Sequence, residues 1–227
     1  MSRKIIPMLV IALATLIYSP KAKADACAIG TLADYTAASF RCTIDDKTFS
    51  GFAYSSAASG GANTVPASGV NVIPCPGASS FCALLPAGEE GFIFTAAWGA
   101  TAGQTLDSAI TYTITSKGSI IDALLLYGGF LVTGSGFASV GETLSNGGFL
   151  SVSDPPGSPA STTVTFGPTS SLTVIKDIQA NGGTGGTAAI SVVGNGWSQV
   201  VPEPSSLILL GAGLLGAAGL ARRKRSN

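Results

Sequence analysis

Between residues 41 and 193 the sequence breaks into short β-rich runs set off by glycine, serine, asparagine or proline, and that punctuation constrains the fold most. The runs occupy residues 48–54, 70–73, 91–98, 110–115, 124–127, 149–152, 162–166, 171–178 and 188–193. Alternation is cleanest at Ile110-Thr111-Tyr112-Thr113-Ile114-Thr115. Successive strand side chains point to opposite faces, so Ile110, Tyr112 and Ile114 turn one way and the three threonines the other. Helix is scarce; residues 32–39, with Thr31 as cap, form the candidate. Gly182-Gly183-Thr184-Gly185-Gly186 reads as a hairpin connection, and residues 155–159 as a loop within one domain. No repeat period of about 20–50 residues is visible. The expected fold is mainly β: a single antiparallel β-sandwich, jelly-roll-like, over residues 25–200, flanked by an N-terminal signal helix and a C-terminal hydrophobic helix.

The two ends are built differently. Met1-Ser2-Arg3-Lys4 is basic, residues 5–18 form a 14-residue apolar run containing Pro7, and Ala22-Lys23-Ala24 is a small-x-small triplet. That order is a secretory signal peptide over residues 1–24, cut after Ala24. The run falls short of the roughly 17–25 residues of a stable span. Charge is informative only once the ends are set aside. The chain carries 12 basic and 12 acidic side chains, yet Arg3, Lys4, Lys21 and Lys23 stand in the leader, and Arg222, Arg223, Lys224 and Arg225 close the tail. Residues 25–204 keep 4 basic against 12 acidic groups, a net charge of −8. A body of that sign repels phosphate backbones, which argues against nucleic-acid binding.

Four cysteines, Cys27, Cys42, Cys75 and Cys82, all lie in the exported part. An even count in an oxidising compartment reads as two disulfides with three possible pairings. We favour Cys27–Cys42 and Cys75–Cys82, because Pro76-Gly77 supplies a turn inside the second loop. A metal site lacks its C-x₂-C pair.

Catalytic constellations are mostly excluded. There is no histidine, which removes Ser-His-Asp and Cys-His catalysis, the H-E-x-x-H metalloproteases and imidazole ligation. Gly211-Ala212-Gly213-Leu214-Leu215-Gly216 matches G-x-G-x-x-G but lacks the βαβ unit and the following acid of a dinucleotide site. The carboxylate pairs Asp45/Asp46 and Glu89/Glu90 put neighbours on opposite strand faces or in an exposed turn, which does not suit glycoside cleavage; the same acids are candidates for calcium, though no EF-hand loop surrounds them. The chain is expected to be no enzyme and to need no cofactor. Candidate ligand residues are Asp45, Asp46 and Trp197; Trp98 ends an apolar run and belongs in a core, whereas Trp197, between Gly194-Asn195-Gly196 and Ser198, is the more open of the two. The threonine row is of the kind flat ice-binding faces use, though Thr is also a favoured exposed strand residue.

The last stretch is the most specific. Val201-Pro202-Glu203-Pro204 is followed by Ser205-Ser206, a 15-residue apolar run over 207–221, and Arg222-Arg223-Lys224-Arg225. Pro202 and Pro204 hold the segment extended, as a protease cleft needs. The run is about 22 Å long as helix against a hydrocarbon core of about 30 Å, and the basic cluster keeps its end cytoplasmic. This arrangement resembles the PEP-CTERM sorting signal, with Pro202-Glu203-Pro204 matching the motif. The resemblance implies recognition by exosortase, an integral-membrane cysteine protease or transpeptidase found with exopolysaccharide systems. It also implies a transient membrane anchor over residues 201–227, cleavage near the motif, and release of the body to the cell surface or a biofilm matrix. A secreted carbohydrate- or calcium-binding module, with ice binding as a variant, is the alternative for the body, and exopolysaccharide the partner it would meet. Segments 42–50 and 175–178 look like bodies of other members and bring no chemistry with them.

Overall fold

The computed structural model describes residues 24–77, 82–155 and 161–200; both expected terminal helices lie outside them. In chain order the elements are β1 (Asp25–Ala26), β2 (Gly30–Thr31), α1 (Leu32–Tyr35), β3 (Arg41–Ile44), β4 (Lys47–Ser59), β5 (Asn71–Cys75), β6 (Glu90–Thr101), β7 (Thr105–Gly128), β8 (Leu131–Thr133), β9 (Phe137–Leu144), β10 (Phe149–Asp154), β11 (Ser161–Asn181), β12 (Thr187–Trp197) and β13 (Gln199–Val200). All thirteen strands join one continuous sheet.

Two long strands fold that sheet into layers. The first half of β7 pairs with β4 on one side and with the second half of β11 on the other; β3 and β9 continue this layer outward. The second half of β7 pairs with β12 and with the first half of β11, and β6 and β5 extend the opposite layer. Between the halves the register of β11 shifts at Thr165/Thr169 and Thr169/Ser171, the irregularity that lets a strand turn a corner. Alternation in β7 changes phase there too. Leu106, Ile110, Tyr112 and Ile114 are buried before the corner, and Ala123, Leu125 and Tyr127 after it.

The core between the layers is aromatic at its centre. Phe92 meets the rings of Tyr35, Phe49, Phe52, Phe94 and Tyr112, at centroid distances from 4.7 to 6.1 Å. Edge-on and tilted contacts of this kind add to the stabilisation from burial. The N-terminal segment closes one side: β1 pairs in parallel with β3 of one layer, while β2 pairs with β5 of the other. Cys27–Cys42 ties that strap down, and Cys75–Cys82 packs into a second buried cluster with Ile93, Leu124 and Leu126; both are the expected pairs. Exposed sheet edges invite pairing with other chains, and the strap covers two of them.

Three local expectations need correction. The helix is a single turn, in which the Thr31 N–H and hydroxyl both donate to Asp34 at 2.8 Å; only Leu32 and Tyr35 reach the core, too little burial to carry it further. Residues 182–186 do not close a hairpin. β11 has β7 and β9 as neighbours, and β12 has β6, β7 and β8, so the link crosses between layers. Its glycines suit a close passage, since a Cβ on Gly182 would lie 1.9 Å from the Thr101 carbonyl. Finally, β9 lacked any sequence-based assignment, and yet it is the strand that brings Glu142 inward.

Candidate functional site

Sorting residues first: Ala22, Pro202, Glu203, Pro204, Arg222, Arg223, Lys224 and Arg225 lie outside the described residues. Ala24 is the first described residue, and Asp25 beyond it already pairs with Cys42 in the sheet. The sheet therefore begins directly after the expected signal cut.

The three candidate ligand residues do not converge. Asp45 sits exposed at the tip of the β3–β4 turn, in the left-handed region at φ 51°. Asp46 is engaged by the protein itself: Lys47 Nζ lies 3.4 Å from Oδ1 and the Ser116 hydroxyl donates to Oδ2 at 2.7 Å. Trp197 overturns the expectation of an open aromatic. It is fully buried, because it is the last inward-facing residue of β12 and the flanking glycines let the strand pack closely. Among the described residues no group of three or more potential metal ligands comes together. A cleft of about 480 Å³ opens beside the N-terminal strap, lined by Asp25, Ile29, Asp34, Tyr35, Phe40 and Arg41.

Buried charge ties the layers together at two places. At one end Lys47, the first residue of β4, is buried and donates to Glu90 of β6 at 2.7 Å. Beside it Glu89 is half-buried and its carboxyl is raised to about 7, by burial first and then by Asp122 and Glu90, with Lys47 opposing. Asp122 is held by the Ser198 N–H at 2.9 Å and hydroxyl at 2.6 Å.

At the centre of the sandwich lies a second network. Lys176 of β11 stands directly opposite Glu142 of β9 and donates to its Oε2 at 2.5 Å. Asn195, reaching across from β12 in the other layer, donates through Nδ2 to the same oxygen at 2.6 Å and to the Leu124 carbonyl at 3.2 Å. The Tyr112 hydroxyl donates to Asn195 Oδ1 at 3.0 Å. Lys176, Tyr112 and Asn195 are 0% exposed and Glu142 1%. Burial pushes the Lys176 ammonium below the usual lysine range, opposed by Glu142, and drives the Tyr112 phenol well up, so the phenol stays a donor. A signal for this cluster was present. Lys176 falls between Val174 and Ile178, and Glu142 between Val140 and Leu144, so alternation alone turns both inward.

The family model described as the PEP-CTERM protein-sorting motif matches residues 200–225. No curated protein matches the chain. Among solved structures, TmCBM61 in complex with β-1,4-galactotriose is 6% identical at a TM-score of 0.29, covering 63% of this chain and 86% of its own. The family 11 carbohydrate-binding module from Clostridium thermocellum, with a β-1,3-1,4-mixed-linked tetrasaccharide, is 13% identical at 0.21, covering 62% and 87%. The enzymatically active domain of bacteriophage CBA120 tailspike protein 4 is 13% identical at 0.26; the match covers 70% of this chain and 20% of the tailspike. Likenesses this distant carry no argument about ligand or activity. The tail carries one: residues 200–225 match the PEP-CTERM protein-sorting motif, and a tail of that kind implies an exported protein processed by exosortase.

Proposed function

We propose that the body is a non-enzymatic structural or interaction module of the cell surface or extracellular matrix, delivered there when exosortase removes the tail. The observation that carries this reading is the sorting motif at residues 200–225. The body fits the role: its buried charges pair with one another, its N-terminal edges are strapped, and two disulfides staple it. If the body instead binds a carbohydrate, the cleft at Tyr35, Phe40 and Arg41 is where an oligosaccharide would lie, since Trp197 is inaccessible.

Intact-mass measurement on protein from the native host tests the reading. The mature chain should lack residues 1–24 and everything beyond the Pro202–Pro204 region. Replacing Glu203 should leave the protein membrane-held, because the helix still docks while the protease loses its recognition element. Replacing Arg222, Arg223, Lys224 and Arg225 with Ser should release uncut protein, since each cation resists passage through hydrocarbon by about 2.5–3.5 kcal/mol. Retention of residues 205–227 in both native and Glu203-substituted protein would refute sorting and leave a plain anchor.

A further inference from the structure

The central network holds a primary amine, a primary amide and a carboxyl group in a dry core, with amine and amide on one carboxyl oxygen. An ion pair this deep is weak evidence for stability, because desolvating the two charges offsets most of their attraction. The geometry is better matched to a reaction. Lys176 Nζ and Asn195 Nδ2 meet at Glu142 Oε2, while Glu142 Oε1 is buried with no hydrogen-bond partner and is free to hold a proton. Tyr112 aims its hydroxyl at Asn195 Oδ1, the atom on which negative charge would develop if the side-chain carbonyl carbon were attacked.

We propose that Lys176 and Asn195 condense into an intramolecular isopeptide bond once the protein has folded, with Glu142 as the catalytic acid and base. The Lys176 ammonium passes one proton to Glu142 and becomes a neutral amine, the form a desolvated lysine favours and the form that is nucleophilic. Its nitrogen bonds to Asn195 Cγ, and the Tyr112 hydroxyl stabilises the oxyanion formed at Oδ1. Glu142 gives its proton to Nδ2 and takes one from the attacking nitrogen. The Cγ–Nδ2 bond then breaks, the carbonyl reforms and ammonia leaves. Of the ammonium's protons, one stays on the new amide, one goes out with ammonia and one remains on Glu142. Charge balances, and no oxidant or other reactant is needed. The product joins β11 of one layer to β12 of the other through the middle of the core, a covalent brace suited to a protein that works outside the cell.

Peptide mass spectrometry on the exported protein from its native host, denatured and reduced, decides the matter. Trypsin cuts after lysine or arginine, and between Lys117 and Arg222 the chain offers it Lys176 alone. The bond should block that cut and leave one fragment running from Gly118 to the mature C-terminus, lighter than its sequence mass by about 17 Da, the mass of ammonia. A second protease should then yield a branched pair in which the pieces bearing Lys176 and Asn195 stay joined. Cleavage after Lys176 at unshifted mass overturns the proposal. So does loss of ammonia with Lys176 still cleavable, because Asn195 can also cyclise onto the following Gly196. Glu142→Gln, with both disulfides formed, should keep the full mass and the cut; cross-linking equal to the native protein would remove Glu142 from the reaction. Tyr112→Phe should slow the cross-link several-fold, and provides a milder variant should Glu142→Gln not fold.

Discussion

Glu89 makes the pH dependence of stability calculable. Its side chain lies against Gly196, where a Cβ would come within 2.7 Å of Oε2, and that oxygen is buried without a hydrogen-bond partner. In the folded protein its carboxyl is raised to about 7 by burial, then by Asp122 and Glu90, against the opposing Lys47. In the unfolded chain a glutamate titrates near 4.3. Below about pH 4 both states hold the proton and the residue is neutral in effect. Between about 4.3 and 7 the unfolded chain loses the proton while the folded one keeps it, so stability falls as pH rises; above 7 the deficit is constant. Fully expressed, each pH unit of that window costs about 1.4 kcal/mol, or roughly 3.7 kcal/mol in all. The side chain is only half-buried, and solvent screening reduces the expected effect to about 1.5 kcal/mol. Glu89→Gln removes the ionisation and keeps the shape. Urea unfolding of the processed protein should show the variant level with the native chain at pH 4 and about 1.5 kcal/mol more stable at pH 8. A difference that does not change with pH, or one that favours the native chain as pH rises, would refute the reasoning.

Phe92→Ala empties the position around which Tyr35, Phe49, Phe52, Phe94 and Tyr112 are arranged, and should cost about 3–5 kcal/mol by denaturant unfolding, with Phe92→Leu costing clearly less. An effect below about 1 kcal/mol would mean that the ring is not central to packing. Replacing Cys75 and Cys82 together by Ser opens a bridge with a sequence separation of 7 and should lower stability by about 2.5 kcal/mol, with the β-sheet circular-dichroism signal retained. Loss of the whole sheet signal would show that the loop, and not the sandwich, nucleates the fold.

Much of this protein is legible along the chain because the deciding interactions are local. Alternation at 110–115 assigns a strand and its inner face, since period two follows from backbone geometry alone. The disulfide pairing is equally local: both bridges close short separations, 15 and 7, and the second contains its own turn. The sorting tail is read as a linear signal and needs no fold to be recognised in the sequence. Trp197 shows where such reading stops. Its glycine neighbours suggest openness, but in β12 they permit close approach of β6 and bury the indole instead.

What the sequence by itself determined is therefore the strand-rich class, the facing of residues where alternation is clean, as at 110–115, the cysteine partners and the processing signal. Only the tertiary structure decided which inward residues meet. Glu142 faces Lys176 because of the register between β9 and β11, and Asn195 reaches Glu142 because β7 and β11 turn a corner that lays β12 over them. Alternation chooses a face, whereas register and sheet folding choose the partner on it. Those depend on the fit of all the strands together, and three polar residues at 142, 176 and 195 carry no mark of one another in the sequence.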